Sequence, residues 1–173
     1  MQRILVFLLF ANQVFFSVSE MQAGSLMKVD NFFAKGFNTQ DFFLSRHITP
    51  KVKVENTTNL LFSFFTTSCI PCHQEIAFLC KYSDSLDIKK FYLVNICEKK
   101  VKICKFMSQF YPDSSLKVLM DPYGIVSKKL KIKTTPSLII ISKDGDMLFQ
   151  HIGYNPADTT MIIEKLHKYF REQ

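Results

Sequence analysis

The sequence predicts an α/β fold in which helices flank a mixed central sheet, with an N-terminal β-hairpin extension. Apolar runs rich in Phe, Ile and Leu alternate with segments whose apolar residues recur at helical spacing, a pattern typical of successive βα units. Near the C-terminus, a turn at 143–146 (KDGD) separates two apolar runs, which indicates an antiparallel hairpin. We therefore expect a mainly parallel sheet with an antiparallel edge.

Strands are predicted where β-favouring residues cluster between turn residues. In chain order they occupy residues 41–46, 51–54, 59–66, 90–96, 116–120, 137–142 and 147–152. The first two form the N-terminal hairpin around Thr49-Pro50. The runs 59–66 (NLLFSFFT) and 137–142 (SLIIIS) are apolar enough to be strands buried on both faces.

Helices are predicted where apolar residues recur every three to four positions. They occupy residues 71–82, a segment from 101 to 110, a segment from the turn at 121–124 to 130, and residues 158–170. The first helix begins after Thr66, Thr67 and Ser68, which are all cap candidates, and has Pro71 in its first turn.

Composition excludes several classes of protein. The 173 residues are 47% apolar and include 18 Phe, which suits one compact domain and not a disordered chain. The net charge of +7 comes from lysines scattered along the chain without an arginine cluster, so we expect an ordinary basic surface and no nucleic-acid partner.

The N-terminus has the layout of a secretory signal peptide, residues 1–19. Arg3 precedes the apolar run 4–11, and Ser17 and Ser19 are the small residues before the expected cut. The alternative, an uncleaved membrane anchor, has only the 15 residues 4–18, short of the roughly 20 that span a bilayer. We expect a protein secreted or periplasmic, with a mature domain that does not span the membrane.

The remaining chain divides into a preamble at 20–40 and one domain at 41–173. Within that domain, Cys69 and Cys72 lie between a buried strand and the start of a helix. Free amide N–H groups and the positive end of the helix dipole stabilise a thiolate there, and such a thiol has a lowered pKa. We expect Cys69 to be the exposed nucleophile and Cys72 the more buried resolving thiol.

Thr135-Pro136 directly precedes the buried strand 137–142. Proline is tolerated at the first residue of a strand, where it breaks no ladder hydrogen bond. A cis peptide bond between these residues would turn the chain sharply beside the cysteines.

With these motifs, the chain from 41 to 170 resembles the thioredoxin-like superfamily, and most of all its secreted TlpA/ResA-type thiol-disulfide oxidoreductases. The features that carry the resemblance are Cys69 and Cys72 after a strand, Glu75 three residues later, the turn at 121–124 (DPYG), Thr135-Pro136, the hairpin at 143–145 and the run at 151–153 (HIG). Ser63 departs from thioredoxins proper, which carry a buried aspartate at that position, and Ser68 stands where Trp is common.

The resemblance implies the thioredoxin fold, a redox-active disulfide between Cys69 and Cys72, and no metal or organic cofactor. It implies that Glu75 tunes the protonation of the cysteines, the alternative being a solvated carboxylate in the first turns of the helix. Thr135, before Pro136, would offer its backbone to a substrate chain. The resemblance also implies that the protein acts as a reductant. Its partners would be exported proteins with disulfides and a membrane electron donor.

Three alternatives remain open. Cys72-His73 completes a C-x-x-C-H motif for c-type haem, with His73 and either Met107 or Met120 as axial ligands. The second alternative is a peroxidase, and the third is a non-enzymatic secreted module with a structural disulfide. In the oxidoreductase interpretation, His73 is an exposed helix residue that adds positive field near Cys69.

Three cysteines lie outside the motif. Cys80 shares the apolar side of its helix and is expected to pack as a small core residue. Cys97 and Cys104 are seven residues apart, a spacing that permits a bridge without favouring it.

Overall fold

Seven strands and four α-helices make up the part of the chain that the computed structural model describes, residues 26–37, 39–44, 58–85, 88–111 and 116–171. In chain order they are β1 (Phe33–Gly36), β2 (Phe42–Phe43), β3 (Leu60–Phe65), α1 (Ile70–Ser85), β4 (Phe91–Ile96), α2 (Lys100–Phe110), β5 (Lys117–Asp121), α3 (Ile125–Lys129), β6 (Ser137–Ile141), β7 (Met147–Ile152) and α4 (Thr159–Phe170). A 3-10 turn, Pro156–Asp158, precedes α4. The predicted signal peptide and the predicted strand 51–54 lie outside the described residues.

The strands form one mixed sheet in the order β2-β1-β5-β4-β3-β6-β7. Among the described strands, the parallel pairs are β3–β4 and β4–β5. The pairs β1–β2, β1–β5, β3–β6 and β6–β7 are antiparallel. The mixed sheet is confirmed, but the expectation that it is mainly parallel is wrong.

The length of α3 explains the reversal at β6. A helix of five residues rises about 7.5 Å, whereas the five residues of β5 span about 16 Å. The chain therefore returns to the sheet at the edge from which it left, and β6 runs antiparallel to β3.

The N-terminal hairpin lies earlier in the chain than predicted. β1 falls within the predicted preamble at 20–40, and the predicted strand 41–46 is represented by the two residues of β2. Gly36 makes the turn between them possible, because a Cβ there would lie 2.0 Å from the carbonyl oxygen of Thr39.

The core has two layers, one on each face of the sheet. On one face α1, α2 and α4 cover side chains that include Leu61, Phe65, Leu93, Leu138 and Ile140. On the other face α3 and the N-terminal segment cover side chains that include Phe62, Phe64, Tyr92, Val94 and Ile139. Alternate residues of β3 thus enter opposite layers, which is why its sequence is apolar almost throughout.

One edge of the sheet collects the residues of interest. The carboxyl ends of the parallel strands β3, β4 and β5 meet there, and β6 begins there because it runs the opposite way. Among the described helices, none combines the length and the apolar character needed to cross a membrane.

Candidate active site

Cys69 and Cys72 form a disulfide at the start of α1, with their Cα atoms 5.2 Å apart. Cys69 immediately precedes the helix, and its Sγ accepts a hydrogen bond from the amide of Cys72 at 3.2 Å, in the way that a capping side chain does. Cys69 is partly exposed and Cys72 is fully buried. Cys69 is therefore the sulfur that another molecule can reach.

Glu98 holds the loop between β3 and α1. Its carboxylate accepts hydrogen bonds from the amide and the hydroxyl of Thr67 at 2.7 and 2.9 Å. It also accepts one from Asn95 Nδ2 at 2.7 Å and pairs with Lys102. Burial acts to raise the pKa of Glu98, but these hydrogen bonds outweigh it and the pKa is lowered.

Sequence reasoning missed Glu98. The available signal was its position directly after a strand parallel to the one that precedes Cys69. Such a residue comes to the same sheet edge as the cysteines.

Glu75 lies one turn beyond Cys72 on α1 and is fully buried. Ser63 on β3 donates a hydrogen bond from its Oγ to Glu75 Oε2 at 2.6 Å, whereas Oε1 has no partner within the described part of the chain. Burial raises the pKa of Glu75 to about 7, and the hydrogen bond from Ser63 only partly opposes this. The alternative of a solvated carboxylate is wrong, because β3 and α1 enclose the side chain.

His73 is not the exposed residue that we expected. Its ring packs edge-on against Phe106 and Phe110 of α2, with centroids 4.9 Å apart in both cases. Its Nε2 lies 3.1 Å from the carbonyl oxygen of Thr67, and Tyr111 donates a hydrogen bond to its backbone carbonyl at 3.4 Å. The side chain is partly buried because α2 packs over the first turn of α1.

These contacts do not fit a c-type haem. The motif would need both sulfurs for bonds to the porphyrin, yet Cys69 and Cys72 are bonded to each other. The Nε2 of His73 is held by a backbone carbonyl, and Met107 and Met120 are packed in the core.

The peptide bond between Thr135 and Pro136 is cis. Ser137 pairs with Phe64, so Pro136 lies opposite the last residue of β3, four positions before Cys69. Pro136 is buried and accepts a hydrogen bond from the amide of Gly153 at 2.8 Å, whereas Thr135 is partly exposed. A cavity of about 290 Å³ runs beside this loop, lined by Thr66, Ile96, Ser127, Ile132, Lys133, Thr134 and Thr135.

The other three cysteines remain thiols. Cys80 is half-buried against the core, as expected. Cys97 and Cys104 are exposed and do not form a bridge. Within the described residues, no group of three or more His, Cys, Asp or Glu side chains is arranged to hold a metal ion.

The sequence matches a known protein family. The family model for the thioredoxin-like domain matches residues 48–168. No protein among the curated ones matches the sequence.

Solved structures share the fold at low sequence identity. A proposed thiol:disulfide interchange protein DsbE from Chlorobium tepidum is 24% identical, with a TM-score of 0.68 over 84% of this chain and 99% of that chain. A proposed protein disulfide isomerase from Bacteroides thetaiotaomicron is 16% identical, with a TM-score of 0.66 over 84% of this chain and 89% of that chain. A secreted Mycobacterium tuberculosis disulfide oxidoreductase homologous to Escherichia coli DsbE is 14% identical, with a TM-score of 0.62 over 79% of this chain and 95% of that chain.

Proposed function

This chain belongs to the thioredoxin-like domain family, and from that premise we propose that it is a thiol-disulfide oxidoreductase acting on cysteines of exported proteins. The observation that carries the proposal is the asymmetry of the Cys69–Cys72 disulfide. One sulfur is partly exposed at a helix start, where it accepts an amide hydrogen bond, and the other is buried. An attacking thiolate and a resolving thiol need these two environments.

In the proposed reaction, the Cys69 thiolate attacks one sulfur of a partner's disulfide. The partner's S–S bond breaks, its second sulfur leaves as a thiolate, and a mixed disulfide forms. The Cys72 thiolate then attacks the Cys69 sulfur and releases the partner's first sulfur as a thiolate. Two electrons pass to the partner, the two leaving thiolates take up protons, and the Cys69–Cys72 bond re-forms.

We assign Glu75 to the protonation of Cys72. Cys72 is fully buried, so its proton must pass to a neighbouring group before its sulfur can attack. Glu75 follows it by three positions on α1, which places both residues on one side of the helix. A carboxyl with a pKa of about 7 is able to take up and release a proton near neutral pH.

We assign substrate docking to the loop at Thr135 and Pro136. The loop lies next to the carboxyl end of β3, because β6 is the neighbouring strand, and beside the cavity that Thr66 also lines. An extended segment laid along Thr135 would bring its cysteine to Cys69 by strand addition, in which main-chain hydrogen bonds provide the affinity.

We further propose export and a reducing role. The N-terminal pattern at 1–19 supports export, and mass spectrometry of the native protein tests cleavage after Ser19. In an oxidising compartment, a reductant needs electrons from elsewhere, which a membrane partner would supply. The potential of the cysteine pair tests this role, since a value of about −270 mV supports a reductant and a value of about −120 mV an oxidant. A value below about −300 mV would mark a structural disulfide and a non-enzymatic module.

The Cys72→Ser variant tests the exchange reaction. We expect it to accumulate mixed disulfides with partner proteins through Cys69, because the resolving thiol is absent. In the reduced wild type, iodoacetamide should modify Cys69 well below pH 8 and Cys72 slowly. Cys104→Ser, which removes an exposed thiol, is the matched control and should trap nothing. Faster alkylation of Cys80, Cys97 or Cys104 than of Cys69 would contradict the assignment.

A further inference from the structure

Exposed apolar side chains lie at the sheet edge that also carries Cys69. Ile70 follows β3, Val101 follows β4 and Tyr123 follows β5, and they are 73%, 80% and 84% exposed. Because β3, β4 and β5 are parallel neighbours, their carboxyl ends bring these three side chains to one edge. Exposed apolar groups at the sheet edge that carries a reactive disulfide are typical of a surface that contacts another protein.

The segments that follow β4 and β5 at this edge are rich in lysine. The stretches 66–72, 97–105 and 121–136 contain eight lysines and two acidic residues, Glu98 and Asp121. Both carboxylates point inward. Glu98 is held by Thr67, Asn95 and Lys102, and Asp121 is buried and accepts hydrogen bonds from Val126 and Ser127. Around the ends of β4 and β5, the charge presented to solvent is therefore carried by lysines.

A groove of about 460 Å³ is lined by an exposed apolar side chain and by lysines. It lies between the end of β4 and the first turns of α2 and is lined by Cys97, Glu98, Lys99, Val101, Lys102 and Lys105. Its wall residue Glu98 binds Thr67, two positions before Cys69, so the groove shares a residue with the support of the loop that leads to the disulfide. Lys99, Lys102 and Lys105 are exposed.

Resting on the proposed function, we propose that this groove, the α2 groove, docks an acidic stretch of the same extended partner segment, on the other side of the reactive cysteine from the part that lies along Thr135. The two places lie on opposite sides of Cys69, because β4 and β6 flank β3. The occupant follows from charge complementarity. Lysines at the rim attract Asp and Glu side chains next to the partner's cysteine, and Val101 covers an apolar neighbour. The protein therefore selects acidic substrates, chiefly through faster association, for which clustered charge provides about 10- to 1000-fold.

The test uses the full chain with Cys69 and Cys72 reduced, in single turnover. Three peptides carry one cysteine as a 2-pyridyl disulfide flanked by Glu, Gln or Lys. Cys69 attacks the peptide sulfur and expels pyridine-2-thiol, and Cys72 then releases the peptide thiol as the protein disulfide forms. The uncharged disulfide 2,2′-dithiodipyridine measures the rate of thiol-disulfide exchange without a contribution from substrate charge.

We expect the Glu peptide to react about tenfold faster than the Lys peptide at low salt, with the difference nearly lost at about 1 M salt, where the screening length is about 3 Å. The double variant K99Q/K105Q should lower the Glu-peptide rate several-fold and leave the dithiodipyridine rate unchanged. K81Q/K143Q removes the same charge from exposed lysines outside the α2 groove and is the matched control.

The failures of the two proposals are distinguishable. An inert dithiodipyridine reaction overturns the proposed function itself. Normal dithiodipyridine turnover with equal rates for the three peptides, or equal losses in the two double variants, overturns acidic docking alone. Loss of binding to anionic phosphatidylglycerol vesicles in K99Q/K105Q, with the Glu-peptide rate unchanged, would make the groove a lipid contact and also overturn it.

Discussion

Two glutamates flank the same disulfide turn, and their carboxyl groups behave in opposite ways. Glu75 lies beneath the turn, fully buried, and has a raised pKa of about 7. Glu98 lies beside the turn with 9% of its side chain exposed and has a lowered pKa. Burial acts in the same direction on both.

The number of donors accounts for the difference. Among the described residues, Glu75 accepts one hydrogen bond, from Ser63. Glu98 accepts four, two of them from Thr67, one from Asn95 and one from the cationic Lys102. Each donor favours the ionised form, so four outweigh desolvation and one does not. Two glutamates near the same disulfide thus differ at neutral pH, where Glu75 titrates and Glu98 stays ionised.

Glu75→Gln gives the largest expected effect. The folded pKa is raised from 4.5 to about 7, so the folded state holds a proton that the unfolded state has lost between these values. The free energy of unfolding of the oxidised wild type should therefore fall by about 3 kcal/mol as pH rises from 4.5 to 7 and then level off. Urea unfolding across this range should show that loss in the wild type and not in Glu75→Gln.

The Ser63→Ala variant extends this test by removing the hydrogen bond from Ser63 to Glu75. Because that hydrogen bond lowers the pKa of Glu75, the pKa should rise further and the loss of stability should occur at higher pH. In the reduced protein, Glu75→Gln should also lower the apparent pKa of Cys69, since a nearby carboxylate opposes formation of a thiolate. Identical pH profiles for wild type and Glu75→Gln would show that Glu75 does not titrate in the folded protein.

Glu98→Gln is expected to have a smaller effect of opposite sign. A lowered pKa means that Glu98 stabilises the fold above pH 4.5 and that this contribution is lost as pH falls through the folded pKa. We expect Glu98→Gln to cost about 1 kcal/mol at pH 7, after allowance for solvent screening, and less in acid. Thermal unfolding at pH 7 and pH 3 measures both values, and an equal cost at the two would mean that the charge of Glu98 contributes nothing.

Lys102→Gln is expected to have the smallest effect. The Lys102 side chain is 54% exposed, and exposed ion pairs contribute about 0.2–1 kcal/mol. Three neutral donors to Glu98 remain in this variant, so the Thr67 loop should stay in place. Urea unfolding should give a midpoint close to that of the wild type, whereas a loss as large as that of Glu98→Gln would make Lys102 the main support of the anion.

Local signals were sufficient to predict the strands and helices of the central βα units and the position of the cysteines. The apolar run before Cys69 and the proline before β6 can both be recognised from adjacent residues alone. The end of α3 near residue 130 was predicted, but no local pattern shows at which edge of the sheet the chain re-enters, and this determines the direction of β6. The four residues of β1 (FAKG) are too short for a periodic signal, and they pair with a strand more than 80 positions away.

The candidate site divides in the same way. Cys69, Cys72 and Pro136 carry motifs, whereas the environments of Glu75, His73 and Glu98 arise from contacts across 12, 33 and 31 positions of sequence. Burial of Glu75 depends on which face of α1 packs against β3, and the spacing of residues in the sequence does not determine that face. Burial of His73 depends on α2, whose docking over α1 is a tertiary property.

The packing of α2 on His73 also has a consequence for opening fluctuations. Phe106 and Phe110 enclose the His73 ring, and Tyr111 bonds its carbonyl, so the first turn of α1 is fastened to α2 as well as to the sheet. Amide protons at the start of a helix ordinarily exchange with solvent early, through fraying. Here the amides of Cys72 and His73 should exchange with deuterium only when α2 detaches, so that the disulfide turn and a helix some thirty residues away open as one cooperative unit.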